Sequence, residues 1–270
     1  MSLISIITIN YNNVNGLQKT FNSVFSQNSK YFEYIVIDGG STDGSLDVIK
    51  NNEKKINFWI SEKDRGIYDA LNKGILNANG EYLLFLNSGD TFYDDTVIQQ
   101  FLNLKHLHHL YGIIYGNVNL EYNNMSKILK QNTPLNLDFF YYHTLNHQSS
   151  FIKKTLFNAF GLYTVTYKIS SDYEFFVKVF VNSPQEYYYT DYTMCNFDMS
   201  GLSQSPETQP EVVIERNDIK KKHFPKKYFK EKQRQHRQSI VYQIRDVCYK
   251  NKVTTFIYNS IKFIYRKIRY

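Results

Sequence analysis

Cysteine is almost absent from these 270 residues: Cys195 and Cys248 stand alone, too few and too widely separated for a disulfide framework or a zinc site. A reducing cytoplasm is the expected compartment. No run of eighteen apolar residues occurs, so no single-pass helix is expected and any membrane contact has to be peripheral. Met1–Asn10 is apolar, yet no basic segment precedes it and no small-residue cleavage site follows, so it reads as a strand rather than a secretion signal. Glycine (12), proline (5) and tryptophan (1) are sparse, which excludes collagen-like repeats. Two phosphate-loop signatures are missing as well: there is no G-x-G-x-x-G spacing, and no glycine run leads into G-K-[ST].

Aromatic residues are abundant: 24 Tyr and 20 Phe lift the aromatic share to 17%. With 42% apolar and 21% charged residues, the composition suits a packed core and excludes wholesale disorder. The aromatics are expected mainly in packing, with some tyrosine edges left for sugar or lipid headgroups. The net charge of +7 is unevenly spread. Residues 216–270 hold 17 Lys/Arg against Asp218, Glu231 and Asp246, a net +14, which leaves residues 1–215 at −7. An acidic body is thus followed by a basic extension.

Leu3–Ile9 and Tyr34–Ile37 are β-branched runs of the kind buried on both faces of a parallel sheet. Phe58–Ile60 and Tyr82–Leu86 read as two further strands. Helical spacing follows each of the first three, with Leu17, Phe21, Val24 and Phe25, then Ser45–Lys50, then Ile67–Asn77. Four βα units in about 105 residues imply a right-handed, doubly wound, mostly parallel sheet. Beyond Tyr111 the strands are shorter and mixed, as in Gly112–Val118 and Ser150–Ile152, with helices expected at Thr155–Phe160 and Asp172–Val181. The composition shift after Pro210 sets domains at 1–210, divided into halves 1–110 and 111–210, and an extension at 211–270. In that extension Val253, Ile257, Ile261, Ile264 and Ile268 form an apolar stripe beside Lys262, Arg266, Lys267 and Arg269, an amphipathic basic helix.

Ligands of such sheets bind at the carboxyl ends of the strands, where Asp38 and Asp90 fall. Either residue alone is open to a plain reading as a turn or capping aspartate. The alternative divides the labour, with Asp38 accepting from a nucleobase imide and Asp90 holding a divalent cation at a diphosphate.

Four segments in order carry a resemblance: Ile4–Ile9 with Asn10-Tyr11-Asn12; Ile37-Asp38-Gly39-Gly40-Ser41-Thr42-Asp43-Gly44-Ser45; Glu62-Lys63-Asp64-Arg65-Gly66-Ile67-Tyr68-Asp69-Ala70-Leu71-Asn72-Lys73-Gly74; and Phe85-Leu86-Asn87-Ser88-Gly89-Asp90. Together they resemble a family 2 glycosyltransferase over about residues 1–205. The resemblance implies the Rossmann-like GT-A fold, with residues 1–110 as the nucleotide-sugar half and 111–210 as the acceptor half. It implies donor binding by Thr8, Asn10, Tyr11, Asp38, Asp64, Arg65, Gly66, Asp69, Asn72 and Ser88. Asp90 is the implied ligand of Mn²⁺ or Mg²⁺, although the family pattern has further acids near the positions of Asn87 and Gly89. Ser170-Ser171-Asp172-Tyr173-Glu174 resembles the segment that bears the catalytic base, which makes Asp172 the base and puts Ser171 where an acid usually stands. Asp172 as a simple helix cap is the plain alternative. Asn146-His147-Gln148 resembles a family segment near the acceptor or diphosphate, and Ser203, in Ser200-Gly201-Leu202-Ser203, a loop that closes over the donor.

The expected activity is inverting transfer from a UDP- or GDP-sugar to a saccharide or lipid-linked saccharide in cell-surface glycan synthesis. The expected place is the inner face of the cytoplasmic membrane, held by the basic extension on anionic lipid. No nucleic-acid partner is expected, since no base-reading module is visible. A catalytically idle sugar-nucleotide-binding subunit of an assembly complex is the main alternative, and a hydride-transfer enzyme on a similar sheet the third.

Overall fold

The structure is a computed structural model that describes residues 4–107, 111–122, 125–199, 205 and 207–250. Its strands are β1 (Ile4–Asn10), β2 (Phe32–Asp38), β3 (Phe58–Ser61), β4 (Tyr82–Phe85), β5 (Thr91–Phe92), β6 (Ile113–Tyr122), β7 (Met125–Leu129), β8 (Ser150–Lys153) and β9 (Tyr187–Asp198). Helices are α1 (Val14–Phe25), α2 (Ser45–Asn51), α3 (Ile67–Asn77), α4 (Val97–Leu107), α5 (Leu137–Tyr142), α6 (Lys154–Phe160), α7 (Ser171–Asn182), α8 (Gln209–His223) and α9 (Lys226–Lys250). Among the described residues the strands form one sheet in the order β3-β2-β1-β4-β8-β6-β9-β5, with β7 paired to β6.

The first half follows the expected βα logic. β1 pairs in parallel with β2 and β4, and β2 with β3. Ile4, Ile6 and Ile7 of β1 and Ile35, Val36 and Ile37 of β2 are wholly buried because helices cover both faces. Asn13 starts α1, its side chain accepting from Gly16 N at 3.0 Å, and Asp43 accepts from Val14 N at 2.7 Å. α3 presses close to the sheet at Gly74, where a Cβ would stand 2.4 Å from Ile7 Cγ2. β2 extends to Asp38, one residue further than the sequence suggested, so this acid belongs to the strand itself.

The second half turns the sheet. β8 runs antiparallel to β4 and to β6, while β6 and β9 are parallel with register shifts between Tyr115 and Val118. β5 follows β4 by only five residues yet pairs with β9 at the opposite edge. The sheet therefore curls, and the turn 86–90 leads from β4 in its middle to β5 at its edge. α6 and α7 pack through aromatic rings, with Phe157 and Phe175 stacked at 4.2 Å and Tyr163 edge-on to both. Burial of such rings is a main source of core stability, and it absorbs much of the aromatic excess.

Two compact units are distinguished, Met1–Ile219 and Lys220–Tyr270. The first nine residues of the expected extension thus belong with the body. Ile219 is fully buried and Glu215 nearly so, which explains why the unit runs past the composition change at 210. In the second unit α9 is a long, polar helix, and no helix of the described residues is long and apolar enough to cross a membrane. The apolar stripe from Val253 to Ile268 lies outside the described residues.

Candidate active site

A cleft of about 1070 Å³ opens along the carboxyl ends of β1, β2 and β4 and is closed by the segments 144–148, 169–172 and 197–198, with Val212 and Arg216 of α8. Its volume suits a nucleotide-sized ligand.

Asp38 ends β2 without any exposure. Its Oδ1 accepts from Asn10 Nδ2 (2.8 Å) and Ser41 Oγ (2.6 Å), and its Oδ2 from Ser41 N (2.9 Å), Ser61 Oγ (2.6 Å) and Gly40 N (3.2 Å). Burial pushes this carboxyl up, but the bonds from Ser41, Ser61 and Asn10 outweigh it and hold the group below its ordinary value. Asp38 thus organises the turn, while Asn10 Oδ1 is buried with no partner. Tyr11, 68% exposed, lies beside Gly39 on the cleft rim.

Asp64 and Gly66 line the same wall. Burial raises Asp64 above the usual carboxylate range although Lys73 Nζ lies 2.6 Å from Oδ1. Arg65, Asp69, Asn72 and Thr8 are engaged elsewhere. Asp69 takes the Arg65 backbone N–H (3.0 Å) and pairs with its guanidinium (2.7 Å), a local clasp on the first turn of α3. Asn72 bonds both the N–H and the carbonyl of Tyr163. Thr8 is buried in the sheet, donating to Leu86 O and accepting from Tyr34 Oη. Ser88 does line the cleft, its hydroxyl bonded to Asn13 O.

The turn 86–90 is fixed from α1: Thr20 Oγ1 donates to Asp90 O (2.7 Å) and accepts from Gly89 N (3.0 Å). Gly89 has φ +106°, and a Cβ there would meet Asp198 Oδ2 at 3.3 Å. Asp198, the last residue of β9, comes to this place because β5 and β9 pair through Thr91 and Asn196. Its backbone N–H donates to Asp90 Oδ1 at 3.0 Å. Burial and the adjacent Asp198 charge push Asp90 up to about 7, against the pull of the Asp198 N–H, His147 and Gln148. A second carboxylate thus stands where the sequence around Gly89 lacked one.

Asp172 sits in the first turn of α7. Oδ1 accepts from Tyr68 Oη at 2.9 Å, and Oδ2 lies 3.2 Å from His147 Nδ1. On the other side of the ring, His147 Nε2 is 3.3 Å from Asn87 Nδ2. A neutral imidazole with its proton on Nδ1 satisfies both contacts, donating to Asp172 and accepting from Asn87. Asn87 Oδ1 is then left buried and unpartnered. Burial would raise Asp172, yet the bonds from His147, Tyr68 and Tyr173 N hold it below the ordinary value, so it is an anion at neutral pH. Gln148 bonds Asp90. Ser203 lies outside the described residues.

Tyr68, Asp198, Glu215 and Arg216 escaped the sequence reading. Glu215 accepts three successive backbone N–H groups just before α7, from Lys168 (2.5 Å), Ile169 (3.1 Å) and Ser170 (2.9 Å). Glu211 pairs with Lys168, and Asp218 accepts from Tyr167 Oη. The spacing of 211, 215 and 218 along one helical face was a usable signal, hidden by the surrounding lysines.

Similarity to known proteins agrees with this geometry. An uncharacterized glycosyltransferase of Mycobacterium tuberculosis is 31% identical over 76% of this chain and 78% of its own length. A PGL/p-HBAD biosynthesis glycosyltransferase of Mycobacterium bovis is 26% identical over 75% and 80%. Among solved structures, S. aureus TarS 1-349 in complex with UDP-GlcNAc superposes with a TM-score of 0.65 at 20% identity, covering 82% of this chain and 67% of that one. The mannosyltransferase PcManGT from Pyrobaculum calidifontis, in complex with GDP-Man and Mn²⁺, gives a TM-score of 0.57 at 14% identity over 84% and 64%. These two share the GT-A fold. The profile described as Glycosyl transferase family 2 matches residues 5–163, and the chain belongs to that family as a GT-A glycosyltransferase.

Proposed function

We propose that the protein transfers a sugar, with inversion at the anomeric carbon, from a UDP- or GDP-sugar to a saccharide or lipid-linked saccharide. The observation that carries this reading is the continuous run of hydrogen bonds from Asp198 and Asp90 through Asn87 and His147 to Asp172. It gathers a base and two further carboxylates in one cleft.

In the reaction Asp172 takes the proton of the acceptor hydroxyl as its oxygen bonds the anomeric carbon and the bond to the diphosphate breaks. His147 and Tyr68 hold the carboxylate in place and keep it ionised. Asn10 Oδ1 is the free acceptor for a nucleobase N–H, with Asp38 fixing its amide. Tyr11 offers a ring face on the rim.

Cation binding fits the oxygen donors present. Asp90 and Asp198 supply carboxylates, and Asn87 Oδ1 is an orphaned amide oxygen; Mg²⁺ and Mn²⁺ take such oxygen ligands, one or two carboxylates sufficing when substrate phosphates complete the shell. No cluster of three or more acidic, His or Cys ligands exists among the described residues, in keeping with a site completed by the donor. When bound, a cation held by Asp90 and Asp198 would offset the charge growing on the departing diphosphate. Asp198→Asn is expected to weaken Mn²⁺ binding to the nucleoside-diphosphate complex by about tenfold or more, read by Mn²⁺ electron paramagnetic resonance. Unchanged affinity would remove Asp198 from the site. The idle-subunit alternative rested on too few acids near Asn87–Asp90, and Asp198 takes away that support.

Asp172→Asn is expected to lower transfer by about 10²–10⁴-fold while nucleoside-diphosphate binding stays within about twofold. Near-normal turnover would show that another group is the base. We also propose that the basic extension holds the enzyme on an anionic membrane face. Removal of residues 220–270 is expected to abolish co-sedimentation with vesicles of phosphatidylglycerol, and retention by the body alone would refute that role.

A further inference from the structure

Two polar groups in the cleft lack partners on the acceptor side. Ser170 is 2% exposed, caps no helix bond despite standing at the N-cap of α7, and its Oγ has no hydrogen-bond partner. Arg216 lines the same region of the cleft with Nε buried and unpartnered. Its guanidinium lies over the Tyr173 ring at 5.0 Å, which fixes the plane of the donors. Among the described residues no carboxylate pairs with it. Glu215 fixes both groups at once, since it bonds Ser170 N and immediately precedes Arg216. A buried hydroxyl and a half-buried cation whose Nε is buried, both unsatisfied in a cleft otherwise rich in acids, are costly unless an anion meets them.

We propose that Arg216, Ser170 and the N-terminal end of α7 form an oxyanion subsite for a phosphate group carried by the acceptor. Nearness to the base assigns the role. Ser170 stands two residues before Asp172, and Arg216 lies over the ring of Tyr173, the residue after it. A phosphate at Arg216 would thus lie beside the base, where the acceptor hydroxyl must be placed, whereas Asp90 is linked to the base through Asn87 and His147. Arg offers a fork that matches phosphate oxygens, and the hydroxyl and the helix end add donors to it. The subsite rests on the transferase reading above and gives it a substrate class: acceptors bearing a phosphate or phosphodiester near the reacting hydroxyl.

The test uses the full chain with Mn²⁺ and saturating UDP or GDP, whichever binds, so that the donor diphosphate position is filled. Glycerol 3-phosphate is then titrated calorimetrically, with glycerol as the neutral control. Wild type is expected to bind the phosphate and not glycerol. Arg216→Gln is expected to weaken it by about tenfold or more, Arg216→Lys by less, and Ser170→Ala by a few-fold, all with unchanged nucleoside-diphosphate affinity, which also certifies folding. Equal affinity in wild type and Arg216→Gln, or no phosphate binding by wild type, overturns the proposal. Loss of nucleoside-diphosphate affinity in Arg216→Gln overturns it too, by assigning the arginine to the donor. If neither UDP nor GDP binds wild type, the transferase reading fails on its own, and the same titration without nucleotide still decides the subsite.

Discussion

The donor half and the acceptor half place their key aspartates by different means. Asp38 is held by Gly40 and Ser41 in its own turn and by Asn10 and Ser61 at the ends of the flanking strands. Asp172 depends on Tyr68, 104 residues earlier, on His147, and on a loop tied down by Glu215 in a helix beyond the sheet. A local arrangement writes itself into a short motif. One assembled from distant segments leaves single residues that carry meaning only after folding.

The sharpest way to break this contrast is to remove the remote tie. Glu215→Ala strips three backbone N–H groups, one buried and two part-buried, of their acceptor and is expected to cost about 4 kcal/mol, since each bond to a charged group is worth ~1.5 kcal/mol. Ser41→Ala, which removes one of several bonds to Asp38, is expected to cost about 1 kcal/mol. Urea unfolding of both variants compares them directly. Equal losses would mean that the acceptor half is no more dependent on long-range ties than the donor half.

Asp90 and Asp198 join the halves, and the union stores an electrostatic penalty. Asp90 is pushed up to about 7 from the 3.8 of an ordinary aspartate, so between these limits the folded state keeps a proton that the unfolded state releases. Stability of the metal-free protein therefore falls as pH rises across that window and levels off above it. Asp90→Asn is expected to abolish the slope. In chelator, the variant should exceed wild type at pH 8 by about 4 kcal/mol and match it near pH 4, as read from urea midpoints. A wild-type stability that does not fall across this window would mean that the carboxyl stays ionised in its pocket.

The same division explains what was legible in the sequence. β1 to β4 and α1 to α3 could be read because each lies in a run with regular periodicity, and Asp38 and Asp90 because each follows a strand at a turn; Asp172 and His147 were singled out only by the family motifs that their segments resemble. β9 was unreadable: Tyr187–Asp198 mixes aromatic and polar residues without clean alternation, its parallel partner β6 lies about seventy residues earlier, and a register shift breaks the pairing. β5, two residues long, exists only because β9 is there to pair with it. Asp198 was therefore invisible as a neighbour of Asp90. Arg65, Asp69 and Asn72 sit in a motif that was recognised, but the motif serves the start of α3 and its contact with Tyr163 as much as the cleft.

The smallest expected effect tests the most distant link. Tyr68 is buried in the aromatic cluster of α3, α6 and α7, and burial followed by the Asp172 charge raises its hydroxyl well above the ordinary value, so it can only donate. Tyr68→Phe keeps the ring and deletes one bond to the carboxylate, at a cost of about 1 kcal/mol in stability. Asp172 then loses a group that favours its charged form, and its pKa rises. The acid limb of kcat/KM against pH should move upward by less than about one pH unit, with turnover on the plateau changed by less than about fivefold. Activity would fall more at pH 5 than at pH 8. A uniform loss at every pH would instead mean that the tyrosine touches substrate, and no change at all would leave His147 and the Tyr173 N–H to support the base, which would shorten the reach of the acceptor half by those 104 residues.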